Sequence, residues 1–214
     1  MSIAIESIAS GGGICQIDSI MKFNDTSSVL AFLKSRKSAS AKAMSAPGPS
    51  GAQLDEILEI AVRVPDHGKL APWRFILIEG EGRARIGDGF AGVWAKKNPS
   101  YSTENLDFQR GLFMRAPLIL VIVSTAAVHG KIPVWEQQLS SAAVCYNAVL
   151  AATALGFDAQ WQSDWVAYDD GAKAVMGVHA HETISGIIYM GTSNVALEDR
   201  PRPDVSTLLT RISS

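Results

Sequence analysis

The stretch that decides the fold is residues 63–80, RVPDHGKLAPWRFILIEG. Upstream of it, residues 51–64 predict a helix, because apolar residues recur on one face: Leu54, Ile57, Leu58 and Ala61. Pro65 removes a backbone donor and restricts the preceding residue, which favours the end of the helix there. The apolar run 75–78 is typical of a short buried strand. The stretch therefore predicts a helix, a turn and a strand in succession.

The predicted turn carries ionisable groups beside an aromatic ring. Asp66, His67 and Lys69 lie in the turn, and Trp73 follows Pro72 at the entry to the strand. Cations beside an aromatic wall suit a flat, anionic cofactor. The alternative interpretation is an ordinary helix-to-strand loop with a buried tryptophan.

A second segment joins a short helix to a basic-serine segment, residues 36–40 (RKSAS). Residues 27–36 predict a short amphipathic helix that runs directly into it. Arginine can grip a phosphate through two hydrogen bonds, and a serine hydroxyl adds another. A basic last turn that complements the helix dipole is the simpler alternative.

Together the two segments resemble the amino-terminal half of the FMN-dependent nitroreductase family, which has an R-[RK]-S element and a P-W entry to its first strand. The likeness covers about residues 27–202. It implies an α+β fold with a mixed sheet flanked by helices, in an intertwined homodimer with FMN sites at the interface. Residues 26–214 are then the nitroreductase-like FMN-binding domain. Residues 1–25 lack convincing periodicity and predict a flexible N-terminal extension.

The rest of the chain predicts strands that alternate with helices, which indicates a layered mixed architecture. Gly156 is a suitable C-cap for the longest helix, which is apolar around much of its circumference and therefore central or interfacial. The expected helices are residues 81–97, 104–114, 135–155 and 169–177, the expected strands are 118–124, 157–161 and 184–190, and a tail follows from 191.

Composition limits the possible functions. The 214 residues are 47% hydrophobic and 19% charged with a net charge of −2, which predicts a globular domain without affinity for bulk nucleic acid or anionic membrane. Cys15 and Cys145 form neither a disulfide framework nor a zinc pattern. No signal-peptide pattern is evident, and the most apolar run, residues 118–123, is far shorter than the roughly 20 residues of a membrane span. We therefore expect a cytoplasmic protein.

Three other kinds of site are disfavoured by the sequence. Gly80-Glu81-Gly82 follows a strand, but Arg85 replaces the third glycine of a dinucleotide loop. Only two of the four histidines, His179 and His181, are near neighbours, and no cysteine lies beside them, so no metal site is expected. A Gly-x-Ser-x-Gly hydrolase motif is absent from the sequence.

The resemblance implies further cofactor ligands in the second half of the chain. Trp161-Gln162-Ser163 stands where close relatives have Trp-Arg-Ser in contact with FMN, so Gln162 removes a charge there. Arg200 and Arg202, before a proline, match two basic phosphate ligands of the family. Without the resemblance, these segments are a strand end with a packed tryptophan and a solvated tail.

Other positions match or depart from the family pattern. Lys37 keeps the charge of a common second arginine but loses its fork geometry. Ser40 stands where some members have a lysine near flavin N1 and O2, and Lys69 stands where many have asparagine. Arg63 and His67 match an arginine and a histidine that reach the partner subunit's flavin in the smallest members.

The resemblance thus implies an FMN-dependent oxidoreductase that uses NAD(P)H to reduce nitroaromatics, quinones or similar acceptors by a ping-pong mechanism. Nicotinamide delivers hydride to flavin N5 and leaves before a small-molecule acceptor binds. The flavin carries the chemistry, so no catalytic side chain is required, and Arg63 is the preferred cation for the charge that develops at N1 and O2. The alternatives are a flavin-fragmenting enzyme or reductive dehalogenase on the same fold, and a non-enzymatic flavin-binding protein.

Overall fold

The structure is a computed structural model that describes residues 22–213. The predicted extension over residues 1–25 lies outside the described residues except for its last four positions, and Cys15 lies outside them too. Among the described residues, no helix is both long enough and apolar enough to cross a bilayer.

The described chain folds into six α-helices and four strands. The helices are α1 Val29–Ser35, α2 Ala52–Ala61, α3 Gly82–Lys97, α4 Thr103–Arg110, α5 Val134–Ala154 and α6 Asp170–Val175. The strands are β1 Trp73–Glu79, β2 Leu118–Ser124, β3 Asp158–Gln162 and β4 Thr183–Gly191. Every predicted helix and strand is present, and the α+β class is confirmed.

Local chemistry explains several helix boundaries. The Ser28 hydroxyl accepts a hydrogen bond from the Ala31 N–H and caps α1. Gly156, at φ +89°, lies in the left-handed region just beyond α5, which confirms its predicted capping role. Helix α2 ends at Ala61, earlier than the sequence predicts, because a tight turn intervenes before Pro65.

The sheet has the order β1-β2-β4-β3, and every neighbouring pair is antiparallel. The family resemblance implies a mixed sheet, and that prediction is wrong for the described part of the chain. Strands β2 and β3 do run in the same direction, as expected for strands joined by the single helix α5. Because β4 inserts between them antiparallel to both, no parallel pair forms among the described residues.

Both faces of the sheet are covered, and all seven residues of β2 are buried at its centre. On one face Leu120, Ile122 and Ile188 pack with α2 and α5. On the other face Val121 and Tyr189 pack with the aromatic side chains of Phe90 and Phe113 and with residues 39–44. The basic-serine segment therefore leads into the core on the face away from α5.

Candidate functional site

The basic-serine segment passes the edge strand β3. The Gln160 side-chain oxygen accepts hydrogen bonds from the Ala41 N–H (2.6 Å) and from Gln162 Nε2 (2.7 Å). At the start of the segment, Arg36 Nη1 donates to Ser38 Oγ (3.2 Å), and the guanidinium carbon lies 5.8 Å from the ring centre of Tyr146 on α5. The structure thus brings together two segments that the sequence predicts as cofactor ligands, residues 36–40 and the end of β3.

A cleft of about 360 Å³ lies between the basic-serine segment and the start of the tail. Its walls are Lys37, Ser38, Ala39, Ser40, Ala43, Ser193, Val195, Ala196, Leu197 and Glu198. The Asp158 carboxylate accepts a hydrogen bond from the Ser193 N–H (2.7 Å) and fixes the tail beside the start of β3. Burial raises the pKa of Asp158, since the backbone donor only partly offsets its desolvation.

The two tail arginines extend from this cleft and are exposed. Arg202 Nη2 donates to Asp199 Oδ1 (2.9 Å). The pKa of Asp199 is lowered first by the Arg200 backbone N–H and then by the charges of Arg202 and Lys37. The structure therefore brings the charges of Arg202 and Lys37 near one carboxylate, to which Arg200 contributes only its backbone N–H. The sequence reasoning missed Asp199, although a carboxylate three residues from an arginine is a recognisable pairing pattern.

Residues 161–163, predicted as one site, point in different directions. The strand register places Trp161 on the α5 face and Gln162 on the opposite face, because successive side chains of a strand alternate. The indole of Trp161 packs against Gly186, where a Cβ atom would collide with it. Gln162 makes the amide contact described above, and Ser163 is exposed just beyond β3. The edge of β3 thus offers an aromatic surface on one side and amides on the other.

Arg63 and His67 contact α5 and do not line the cleft. The Asn147 side-chain amide donates to the Arg63 carbonyl oxygen (3.0 Å) and so anchors the end of α2, while the Arg63 guanidinium is exposed. Asn147 directly follows Tyr146, the residue that Arg36 covers, so both arginines lie near the middle of α5. His67 Nδ1 lies 2.7 Å from Glu136 Oε2 in the first turn of α5.

The backbone between His67 and β1 is strained. Gly68, Lys69 and Ala71 have φ of +76°, +55° and +47°. Left-handed conformations of residues other than glycine are uncommon and cost of order 1–3 kcal/mol each. The Asp66 carboxylate accepts a hydrogen bond from the Ala71 N–H (2.8 Å), which helps to hold this 66–71 turn. Such strain clusters at ligand sites, so a ligand role for the 66–71 turn stays a prediction.

The candidate side chains at the cleft, at the edge of β3 and in the 66–71 turn are mainly cations and hydrogen-bond donors or acceptors. Such groups can bind anions and amides. The one described cysteine, Cys145, is buried, and desolvation raises its pKa to about 12, so its thiol is protonated and unreactive. Within residues 22–213 no three His, Cys, Asp or Glu side chains are arranged to hold a metal ion. The arrangement suits a bound anionic, flat molecule better than covalent catalysis by a side chain.

Comparison with known proteins gives a family match. Residues 33–192 match the family model described as "Nitroreductase family". The Escherichia coli (strain K12) protein named "Putative NAD(P)H nitroreductase YdjA" is 34% identical over 165 residues, which span 76% of this chain and 87% of that protein. A Haemophilus influenzae protein named "Putative NAD(P)H nitroreductase" is 32% identical over 164 residues, with the same shares. The resemblance inferred from the sequence is confirmed.

Solved structures share the fold. The nitroreductase-like family protein from Bacillus cereus superposes with a TM-score of 0.71 at 22% identity, over 85% of this chain and 94% of that one. The Bacteroides fragilis nitroreductase with bound FMN gives a TM-score of 0.61 at 18% identity, over 85% and 96% of the two chains. At these identities the likeness concerns the fold alone.

Proposed function

The chain belongs to the nitroreductase family of enzymes, and from that premise we propose that it is an FMN-dependent oxidoreductase. It uses NAD(P)H to reduce nitroaromatics, quinones or similar small acceptors by a ping-pong mechanism. The observation that carries this proposal is the convergence of residues 36–40, the end of β3 and the basic tail on one edge of the sheet. The relatives named as NAD(P)H nitroreductases and the FMN-bound structural neighbour support it.

The donor set fits a terminal phosphate monoester, which FMN has and FAD lacks. The Arg36 guanidinium and the Ser38 hydroxyl already lie within hydrogen-bond distance of each other, so one phosphate oxygen can reach both. In the structure the Asp199 carboxylate accepts a hydrogen bond from the Arg202 guanidinium, so an oxyanion fits beside this side chain. Arg36, Lys37, Ser38, Arg200 and Arg202 are the proposed phosphate ligands.

Polar groups near β3 fit the remainder of the cofactor. Gln162, Ser163 and Ser40 offer amide and hydroxyl groups for the ring and ribityl oxygens, while Trp161 offers a flat apolar surface. FMN, when bound, supplies the redox chemistry by accepting hydride from NAD(P)H and passing electrons to the acceptor. Arg63 supplies a cation for the charge at N1 and O2. The protein thus binds FMN, orients its ring and tunes its midpoint potential.

The active form is proposed to be a homodimer in which Arg63 and His67 face the flavin of the partner subunit. Helix α5 exposes a stripe of large apolar side chains at helical spacing, with Trp135 67%, Leu139 50% and Tyr146 44% exposed. Helix α1 has no buried residue and exposes Val29, Leu30 and Leu33. Exposed apolar surface of this extent marks an association site, and a second copy is the occupant that also completes the cofactor site.

The tail supports an intertwined arrangement. It exposes Val205, Leu208, Leu209 and Ile212 beyond the two arginines. A segment with four exposed apolar side chains is stabilised when another surface covers them. In a homodimer that surface belongs to the second copy, and the arginines at the base of the segment are then held near the cleft.

The proposal is tested by spectroscopy of the purified protein. We expect a yellow protein that releases FMN, and not FAD, on denaturation, and whose flavin absorbance bleaches on mixing with NAD(P)H in a stopped-flow instrument. A colourless protein that takes up no added FMN would contradict the proposal. Stable flavin binding without bleaching would instead indicate a non-enzymatic flavin-binding protein. Dehalogenation assays, and assays for flavin loss under oxygen, test the remaining alternatives.

A further inference from the structure

One exposed hydrogen-bonded pair of side chains on this chain has no evident structural purpose. His67 Nδ1 and Glu136 Oε2 are 2.7 Å apart, and their side chains are 65% and 38% exposed. Exposed pairs of this kind contribute little to folding stability, because solvent screens them and both side chains lose rotational freedom. The adjoining 66–71 turn contains two left-handed residues other than glycine, Lys69 and Ala71, whose strain opposes folding. The pair and its turn together are therefore a poor device for stability.

Both partners of the pair are nevertheless firmly placed. Gly68 packs so closely on Ile132 that a Cβ atom would collide with the Ile132 side chain. The Gln137 side-chain amide donates a hydrogen bond to the Ile132 carbonyl oxygen. The same amide donates to the Ala127 carbonyl oxygen and accepts from the Ala127 N–H. The turn that carries His67 is thus fixed against the loop that leads into α5, and Glu136 lies in the first turn of that helix.

A carboxylate on one imidazole nitrogen determines what the other nitrogen can do. The bond to Glu136 places the hydrogen of the neutral ring on Nδ1 and restricts rotation of the ring. Nε2 is then left to meet a ligand with its orientation already set, so less entropy is lost when that ligand binds.

We propose that Glu136 is a positioning residue, which holds His67 by Nδ1 so that Nε2 faces the FMN bound by the second copy of the chain. This inference rests on the proposed function. It adds to the site a residue whose only contact with FMN is through His67. Glu136 thereby links the start of α5 to cofactor binding in the partner.

The test is a double-mutant cycle on FMN affinity, measured by titrating the apoprotein. Glu136→Ala is expected to raise the FMN dissociation constant about threefold to tenfold, since an oriented hydrogen-bonding group is lost. His67→Ala should raise it at least as much, and the double variant should be no worse than His67→Ala alone. Glu136→Gln, which keeps an acceptor oxygen, should retain most of the affinity. Glu56→Ala, an exposed glutamate on α2, is the matched control.

A second measurement reads the pair directly in the apoprotein. Nitrogen NMR of labelled histidine at alkaline pH should show the Nδ1–H tautomer for His67 in the wild type and loss of that preference in Glu136→Ala. Additive losses in the cycle, or an unchanged tautomer in Glu136→Ala, would overturn the inference while leaving FMN binding intact. A wild-type protein that takes up no FMN would overturn the proposed function and this inference with it.

Discussion

Replacement of Arg36 by alanine tests how the phosphate is held. The guanidinium lies over Tyr146 with Nη1 3.2 Å from Ser38 Oγ, so the bonded pair can meet one phosphate without rearrangement. Hydrogen bonds to charged groups contribute roughly 1.5–3 kcal/mol, and one bidentate contact is lost in Arg36→Ala. The FMN dissociation constant should therefore rise about tenfold to a hundredfold. The FMN dissociation constant of Arg36→Lys should lie between those of the wild type and Arg36→Ala, because lysine keeps the positive charge but cannot make the bidentate contact.

The assay is quenching of flavin fluorescence by the apoprotein, run in parallel with FMN and with riboflavin, which lacks the phosphate. Lys34→Ala removes an exposed cation from the last turn of α1 and serves as the charge-matched control. We expect Arg36→Ala to weaken FMN binding but to leave riboflavin binding close to that of the wild type. Equal losses for both ligands would refute the phosphate contact and would point to Arg36 as a packing residue over Tyr146.

Three further predictions concern tuning, assembly and stability. Arg63→Ala should lower the flavin midpoint potential and slow the reduction of the flavin by NAD(P)H, and it should weaken FMN binding less than Arg36→Ala does. If spectroelectrochemistry shows an unchanged midpoint potential, Arg63 does not tune the flavin. Leu139→Asp places a charge in the exposed stripe of α5 and should give a monomer that loses FMN, whereas a flavin-bound monomer in sedimentation would count against the shared site. Arg74 hydrogen-bonds the buried Glu182 (2.6 Å and 2.8 Å) and, as the main cause, lowers its pKa from 4.5 to about 2. This stabilisation is complete above about pH 4.5 and is lost as the pH falls towards 2. Glu182→Gln should therefore lower the free energy of unfolding by roughly 2–3 kcal/mol at neutral pH. In urea titrations the variant's free energy of unfolding should also depend less on pH between 4.5 and 2 than that of the wild type.

Much of the secondary structure could be predicted, because its causes are local. The apolar period of α2, the C-cap at Gly156 and the apolar run of β2 each act within a few residues. The sheet topology could not be predicted in the same way. The position of β4 between β2 and β3 depends on contacts between distant segments, which a strand-by-strand interpretation does not contain.

The segments that form the candidate site could be predicted from the sequence, but the relative positions of their side chains could not. The family pattern identifies residues 36–40, Trp161 and the tail arginines. It does not indicate that strand alternation separates Trp161 from Gln162, that Gln160 joins β3 to residue 41, or that Asp199 lies among the cations. Glu136 was missed because its partner His67 is 69 positions away in the chain.

The most direct test of the account is sedimentation velocity of the FMN-loaded protein, recorded at both the flavin and the protein absorption bands. If the cofactor site is shared, flavin and protein should sediment together as a dimer with one FMN per chain, and dilution to the monomer should release the flavin. A monomer that retains stoichiometric FMN would contradict the shared site. A dimer that sediments without flavin, even after incubation with FMN, would contradict the central claim that this chain is an FMN-dependent enzyme.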